Sequence, residues 1–181
     1  KNEQKMGWHA SPTRTVTFDN VRIPKENLIG EENKGFNYAM QGLNGGRVNI
    51  ASLSVGAARS ALEQAVSYIK EREQFGKPIA DNQWAQFTIA EMYMKLTASR
   101  LMILQAAEMI DQNHPDAILQ CAAAKAFATE NCSEVAQLAL QLHGGYGYLA
   151  DFPLEKIVRD LRVHEILEGT SQIMRIVASL H

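Results

Sequence analysis

The apolar positions change their period once along this chain. Between residues 13 and 18, Thr13, Thr15 and Thr17 alternate with Arg14, Val16 and Phe18. A period of two predicts a strand with one buried face. Asp19-Asn20 punctuates the run, Val21 and Ile23 resume it, and Pro24 stops it. Two short strands do not make a stable sheet. Residues 1–30 are therefore expected to be the terminal strands and linker of a β domain that lies mostly upstream. From Phe36 the period becomes helical. Ile50, Leu53, Ala57, Ala61 and Ala65 recur at three- and four-residue spacing and predict a first helix over 36–72. The Gly45-Gly46 pair inside it marks a bend or a close contact.

Gly76-Lys77-Pro78 interrupts the pattern, and a second helix is predicted over 83–112. Phe87, Ala90, Met94, Ala98 and Leu101 form one stripe on it. Ile89, Met92, Leu96 and Ile103 fall largely elsewhere on the wheel. A helix apolar on two sides is expected to be buried on two sides. After Asn113-His114-Pro115 a third helix is predicted over 116–142, with Asp116 as its cap. Its many alanines suit close helix contact. It stops at His143-Gly144-Gly145-Tyr146-Gly147. A short segment over 153–162 and a last helix from Thr170 or Ser171 to about Leu180 follow. The expected fold is mainly α: an up-down four-helix bundle over 31–181, preceded by a short β remnant over 1–30.

Composition narrows the picture by exclusion. With 46 % hydrophobic residues in 181, the chain can build a core. A formal net charge of −2 and dispersed basic residues speak against a nucleic-acid surface. No apolar run approaches the length of a membrane span, and no signal peptide opens the sequence. The first residue is Lys1, so the sequence is expected to start inside a longer chain. Cys121 and Cys132 sit roughly 16 Å apart along one helix, too far for a disulfide, and lack the partners of a zinc site. They are expected to be buried thiols, and no metal is expected.

Three short segments exceed what a bundle needs. Arg72-Glu73-Gln74-Phe75-Gly76 follows the first helix. Its arginine also suits a helix C-terminus. Gln141-Leu142-His143-Gly144-Gly145-Tyr146-Gly147 holds three glycines in four positions, which lets a ligand approach the backbone. Leu167-Glu168-Gly169-Thr170-Ser171 puts a carboxylate just before a helix start, where the helix dipole alone would favour one.

In this order and spacing, Arg-x-x-Phe-Gly, His-Gly-Gly-Tyr-Gly and Glu-Gly-Thr resemble the acyl-CoA dehydrogenase family, in its C-terminal part. The resemblance extends over nearly the whole chain, from Gly7-Trp8 through Leu28-Ile29-Gly30. The stretch Gly42-Leu43-Asn44-Gly45-Gly46-Arg47 with Leu167-Glu168-Gly169 is similar to the isobutyryl-CoA dehydrogenase branch. The resemblance implies an FAD enzyme that oxidises a short or branched acyl-CoA to its 2,3-enoyl form, in fatty acid or branched-chain amino acid catabolism. It implies Glu168 as the base that takes the α proton. A minority of the family keeps that base immediately before the arginine that matches Arg47. Here Gly46 stands there and cannot act as one. Asn44, Gly45, Gly46, Arg47 and Gly169 match the substrate side. Arg72, Phe75, Asn82, Gln83, Gln141, Leu142, His143, Gly144, Gly145, Thr170, Ser171 and Gln172 match flavin contacts, several of them across subunits. His143 is expected to contribute backbone contacts from a loop and not to act as a base.

Shared sites imply a homo-oligomer, a tetramer, with electron-transfer flavoprotein as electron acceptor. The compartment would be the mitochondrial matrix in a eukaryote and the cytoplasm in a bacterium. Leu180 departs from an arginine that the family often places near the chain end to contact CoA. These residues alone are expected to bind FAD weakly or not at all. The competing reading is a non-catalytic helical interaction or oligomerisation module derived from the same family. A flavin oxidase or monooxygenase on this fold would be suggested by an Asp or a neutral residue at 168.

Overall fold

A helix with small residues along one stripe can lie close to two neighbours at once, and α3 (Ala117–His143) is built that way. Cys121, Ala122, Ala124, Ala128, Cys132, Ala136 and Ala139 along it are wholly buried. In this computed structural model, which describes residues 1–180, α3 packs against α1 (Gly35–Glu71), α2 (Gln83–Asp111), α4 (Leu154–Arg162) and α5 (Ser171–Ser179). The core clusters give the directions. Ile69 of α1, Ala85 of α2 and Leu142 of α3 share one cluster with Leu154 and Leu161 of α4. Ala51, Ile103 and Ala128 meet in another. The late turns of α1 thus face the early turns of α2 and the late turns of α3, so the three long helices alternate up, down and up. Met174 of α5 packs on Ala122 and Ala126. Arg175 ties α5 to α3 through paired bonds of 2.7 and 2.8 Å to Glu130.

Between α1 and α2 lies a two-residue-per-strand hairpin, β1 (Glu73–Gln74) with β2 (Lys77–Pro78). Phe75 (φ 54°) and Gly76 (φ 78°) form its turn. Two positive φ values in a row are what a two-residue hairpin of right-handed twist demands.

The five helices begin and end within a residue or two of their expected bounds, and the mainly α bundle is as read. Three local expectations differ. Residues 13–30 carry no ladder. An isolated bridge joins Asn2 to Arg14, and Val16, Phe18, Val21 and Ile23 are exposed, because the chain supplies nothing to cover them. Asp116 precedes α3 but its side chain caps no amide; its φ of −90° and ψ of 11° depart from the extended geometry that capping uses. On α2, the face with Ala85, Met92, Ile103 and Ala106 is inside. Most of the stripe expected to share that burial is open: Phe87, Met94 and Leu101 are about three-fifths exposed. This chain buries α2 on one side only.

The N-terminal segment is anchored even without a sheet. Trp8 N donates to Asp160 Oδ1 at 2.6 Å and Arg159 Nη1 donates to Met6 O at 3.0 Å. The Trp8 ring meets buried His164 edge-on at 5.0 Å. His164 in turn lies 2.7 Å from Ser54 Oγ of α1, and burial lowers its pKa to about 4.

Candidate functional site

Between α4 and α5 the backbone does something a non-glycine residue avoids. Glu168 has φ 55° and Gly169 φ 97°. The left-handed region costs a side-chain-bearing residue about 1–3 kcal/mol, and it persists only where the surroundings hold it. Three contacts hold this turn. Thr170 Oγ1 accepts from Ile173 N at 3.2 Å and so caps α5, as the sequence predicts. Met174 Cε fills the space beside Gly169, 2.5 Å from where a Cβ would stand. Lys125 of α3 donates from Nζ to the Gly169 carbonyl at 2.7 Å.

The turn aims the Glu168 carboxylate at α1. A Cβ on Gly46 would lie 2.5 Å from Glu168 Oε2 and 2.9 Å from its carboxyl carbon. Gly46 is therefore the close contact that the glycine pair signalled. Gly45 beside it faces open space. Glu168 Oε2 is buried without a hydrogen-bond partner, and Arg47 Nε likewise. Arg47 Nη1 donates to Asn44 Oδ1 at 2.9 Å. Asn44 and Arg47 open onto a groove of about 320 Å³ that Met40, Ile118, Val177 and Leu180 complete. Leu180 thus puts an apolar, mostly exposed side chain at the groove. Chemically, this end of the molecule offers an unpaired carboxylate oxygen, a buried guanidinium and a nearby groove with polar and apolar walls. That set suits proton abstraction from a bound acyl chain.

A second group of candidates gathers elsewhere. Arg72, Gln141, Leu142, His143, Gly144 and Gly145 line one cleft of about 560 Å³. No carboxylate lines it, and among the described residues none pairs with Arg72. The guanidinium of Arg72 sits 5.6 Å from the Tyr146 ring centre. Gly144 (φ 58°) and Gly145 would meet nothing with an added Cβ, so the backbone there is open to a ligand. Gly147 serves packing instead: a Cβ would lie 2.5 Å from Leu140 O. A positive, aromatic, glycine-floored cleft fits an anionic dinucleotide.

His143 corrects its expected place. It is the last residue of α3, buried, stacked on Tyr68 at 4.1 Å, and its Nδ1 lies 2.9 Å from Ala139 O. Burial lowers its pKa. Its side chain is a packing element. Asn82 donates to Ile79 O at 3.0 Å and precedes α2, whose first residue Gln83 is exposed. Phe75 is fully exposed at the hairpin tip. Ser171 is buried at the start of α5 and Gln172 is exposed.

The two groups lie toward opposite ends of α3, the Glu168 turn over Lys125 and the cleft at His143, about 27 Å apart along the helix axis. Tyr68 and Trp84 also line the cleft and were not singled out in the sequence. Apolar helix positions read as core, and nothing local separates a cleft wall from a core wall. Lys125 was missed as well. Its signal was a lone charge in the run Ala122-Ala123-Ala124-Lys125-Ala126, amid residues that pack tightly. No helix among the described residues is long and apolar enough to cross a membrane.

The family profile described as acyl-CoA dehydrogenase, C-terminal domain, matches residues 33–179. The chain is 49 % identical over 179 residues to the mitochondrial isobutyryl-CoA dehydrogenase of Bos taurus, covering 99 % of this chain and 43 % of that protein. It is 46 % identical over 179 residues to a subunit of the caffeyl-CoA reductase–Etf complex of Acetobacterium woodii, covering 99 % and 47 %. Among solved structures, butyryl-CoA dehydrogenase of Megasphaera elsdenii superposes with a TM-score of 0.95 at 39 % identity, covering 99 % and 46 %. The chain spans somewhat under half the length of these relatives.

Proposed function

The chain belongs to the acyl-CoA dehydrogenase family, and on that premise we propose that it carries the catalytic base and part of the flavin site of an FAD-dependent enzyme that oxidises a short or branched acyl-CoA, isobutyryl-CoA or a close analogue. The observation that carries the reading is the meeting of Glu168 with Gly46: a carboxylate oxygen, buried and unpartnered, points at a place where α1 presents no side chain. Residues far apart in sequence meet there: the bare backbone of Gly46 lets the carboxylate rest against α1, where the proposed base is held.

In this reading the Glu168 carboxylate takes the α proton of the thioester. Partial burial keeps water from competing for the lone pair. Arg47 and Asn44 orient the acyl-CoA in the groove. Bound FAD would supply the acceptor for the hydride that leaves the β carbon. Arg72 and the backbone of Gly144 and Gly145 would hold its phosphates, with Phe75, Asn82, Gln83, Gln141, Leu142 and His143 around them. The N-terminus of α5, Thr170 to Gln172, would face the flavin near Glu168. The separation of the two groups along α3 supports a flavin bound between copies of the chain, hence a homo-oligomer, a tetramer by family likeness. The open face of α2 supports the same. Electron-transfer flavoprotein is the proposed acceptor of the electrons.

The test is anaerobic mixing of the flavin-loaded protein that carries this segment with isobutyryl-, 2-methylbutyryl-, butyryl- and longer acyl-CoA. Loss of flavin absorbance is expected, fastest with the branched or short chains. A protein that holds no flavin and ignores all of them would favour the interaction-module reading. Arg72→Gln is expected to lower flavin occupancy at least tenfold, because it removes the cleft's charged donor. The absorbance ratio at flavin and protein wavelengths measures this, and unchanged occupancy would remove Arg72 from the site.

A further inference from the structure

Lys125 is a lysine with no surface exposure at all, in the first half of the central helix. A long amine stem normally lets the charge reach water. Here the side chain turns inward, beneath the Glu168–Gly169 turn. Four charged groups surround it: Glu165 and Glu168 beyond α4, Glu130 on α3 and Arg47 on α1. Burial draws its pKa down to about 8, with Glu165 and Glu168 opposing the fall and Arg47 adding to it. Among the described residues it forms no ion pair with these carboxylates. Its bond goes to a backbone oxygen, Gly169 O, at 2.7 Å.

That choice of partner is informative. The Gly169 carbonyl belongs to the second of two consecutive left-handed residues. The peptide planes of such a turn rotate away if φ becomes negative, and the carbonyl would leave Nζ. The bond is made with the turn in its left-handed form, and in that form the Glu168 carboxylate lies against Gly46. A cation holding a single carbonyl is stronger than a neutral donor would be.

We propose that Lys125 is a positioning residue for Glu168: by holding the Gly169 carbonyl it keeps the left-handed turn, and with it the carboxylate at its working position. The proposal rests on the reading of Glu168 as the base. Lys125 touches neither substrate nor cofactor in this role and acts through the turn alone.

Lys125→Met and Lys125→Gln, made in the flavin-loaded protein that carries this segment, test it. Met keeps the volume and removes the donor. Gln keeps a shorter, uncharged donor. A displacement of about 1 Å at a reacting group lowers turnover about 100-fold. The expected result is a kcat loss of that order in Lys125→Met, partial recovery to about a tenfold loss in Lys125→Gln, KM within threefold and flavin content unchanged. A crystal structure of the Met variant should show Glu168 with negative φ. The proposal is overturned if kcat stays within threefold in both variants. It is equally overturned if kcat, KM and flavin content collapse together in both, or if Glu168 keeps its positive φ without the lysine. Should Lys125→Met not accumulate as folded flavoprotein, Lys125→Gln decides by the same split. Glu168→Gln run alongside separates the two claims. An inactive Glu168→Gln beside an unimpaired Lys125→Met sinks only the positioning role. An active Glu168→Gln sinks the base beneath it.

Discussion

Glu168→Gln is expected to retain flavin and to lower kcat about a thousandfold, in the middle of the range that a general base contributes. Gln has the same length and shape, so the turn through Glu168 (φ 55°) and Gly169 (φ 97°) has no new steric reason to relax. The carboxylate makes no hydrogen bond from Oε2 that the amide would break. What disappears is the lone pair able to take a proton. The variant should bind acyl-CoA with near-native affinity and fail to bleach the flavin. Stopped-flow absorbance under anaerobic conditions reads both. Bleaching at a rate within tenfold of the parent would remove Glu168 from the chemistry.

Gly46→Ala is expected to separate stability from turnover in the opposite sense from most substitutions. Alanine in place of glycine inside a helix gains about 1 kcal/mol of helix propensity. The new Cβ would stand 2.5 Å from Glu168 Oε2. The atom in the way is the end of a flexible side chain, so the fold can accommodate the methyl group cheaply by moving the carboxylate. That same movement takes the base from its place, and a displacement of about 1 Å costs turnover about 100-fold. The expected result is a melting temperature equal to or above the parent's, with kcat about 100-fold lower. Calorimetry and steady-state kinetics on one preparation decide it. Native kcat with a raised melting temperature would mean that the carboxylate works from elsewhere. Gly56→Ala is the control: it lies inside the same helix with nothing near its Cβ position, so kcat should hold.

These predictions rest on features of unequal visibility in the sequence. The order of elements was legible because it is local. Apolar spacing of three and four sets a helix wherever it occurs, and the breaks at Gly76-Lys77-Pro78 and Asn113-His114-Pro115 fall where the chain turns. Thr170 was legible as a cap for the same reason, since a cap needs only its own next turn. Asp116 failed as a cap because capping also depends on backbone angles that a residue name does not carry. The family was legible because three short motifs stand in one order.

Which face of α2 is covered was a different matter. Both stripes are apolar, and only the placing of α1 and α3 decides that Met92 is inside while Met94 is not. Residues 13–30 keep the alternation of a strand, but a ladder needs neighbours as well as a pattern.

By itself, then, the sequence determined the helices, their punctuation, the family and the candidacy of Glu168, because each depends on contiguous residues. Tertiary structure decided that Gly46 is the surface against which the Glu168 carboxylate rests. It decided that Arg72 and the Gln141–Gly145 stretch share one cleft. It decided that Lys125, which its charge alone would leave in solvent, lies wholly buried with its ammonium group on the Gly169 carbonyl. The physical reason is common to all three. A strained turn, a cleft and a buried cation are each stable only through groups brought from distant parts of the chain, and the packing of α1 and α5 on α3 brings them together.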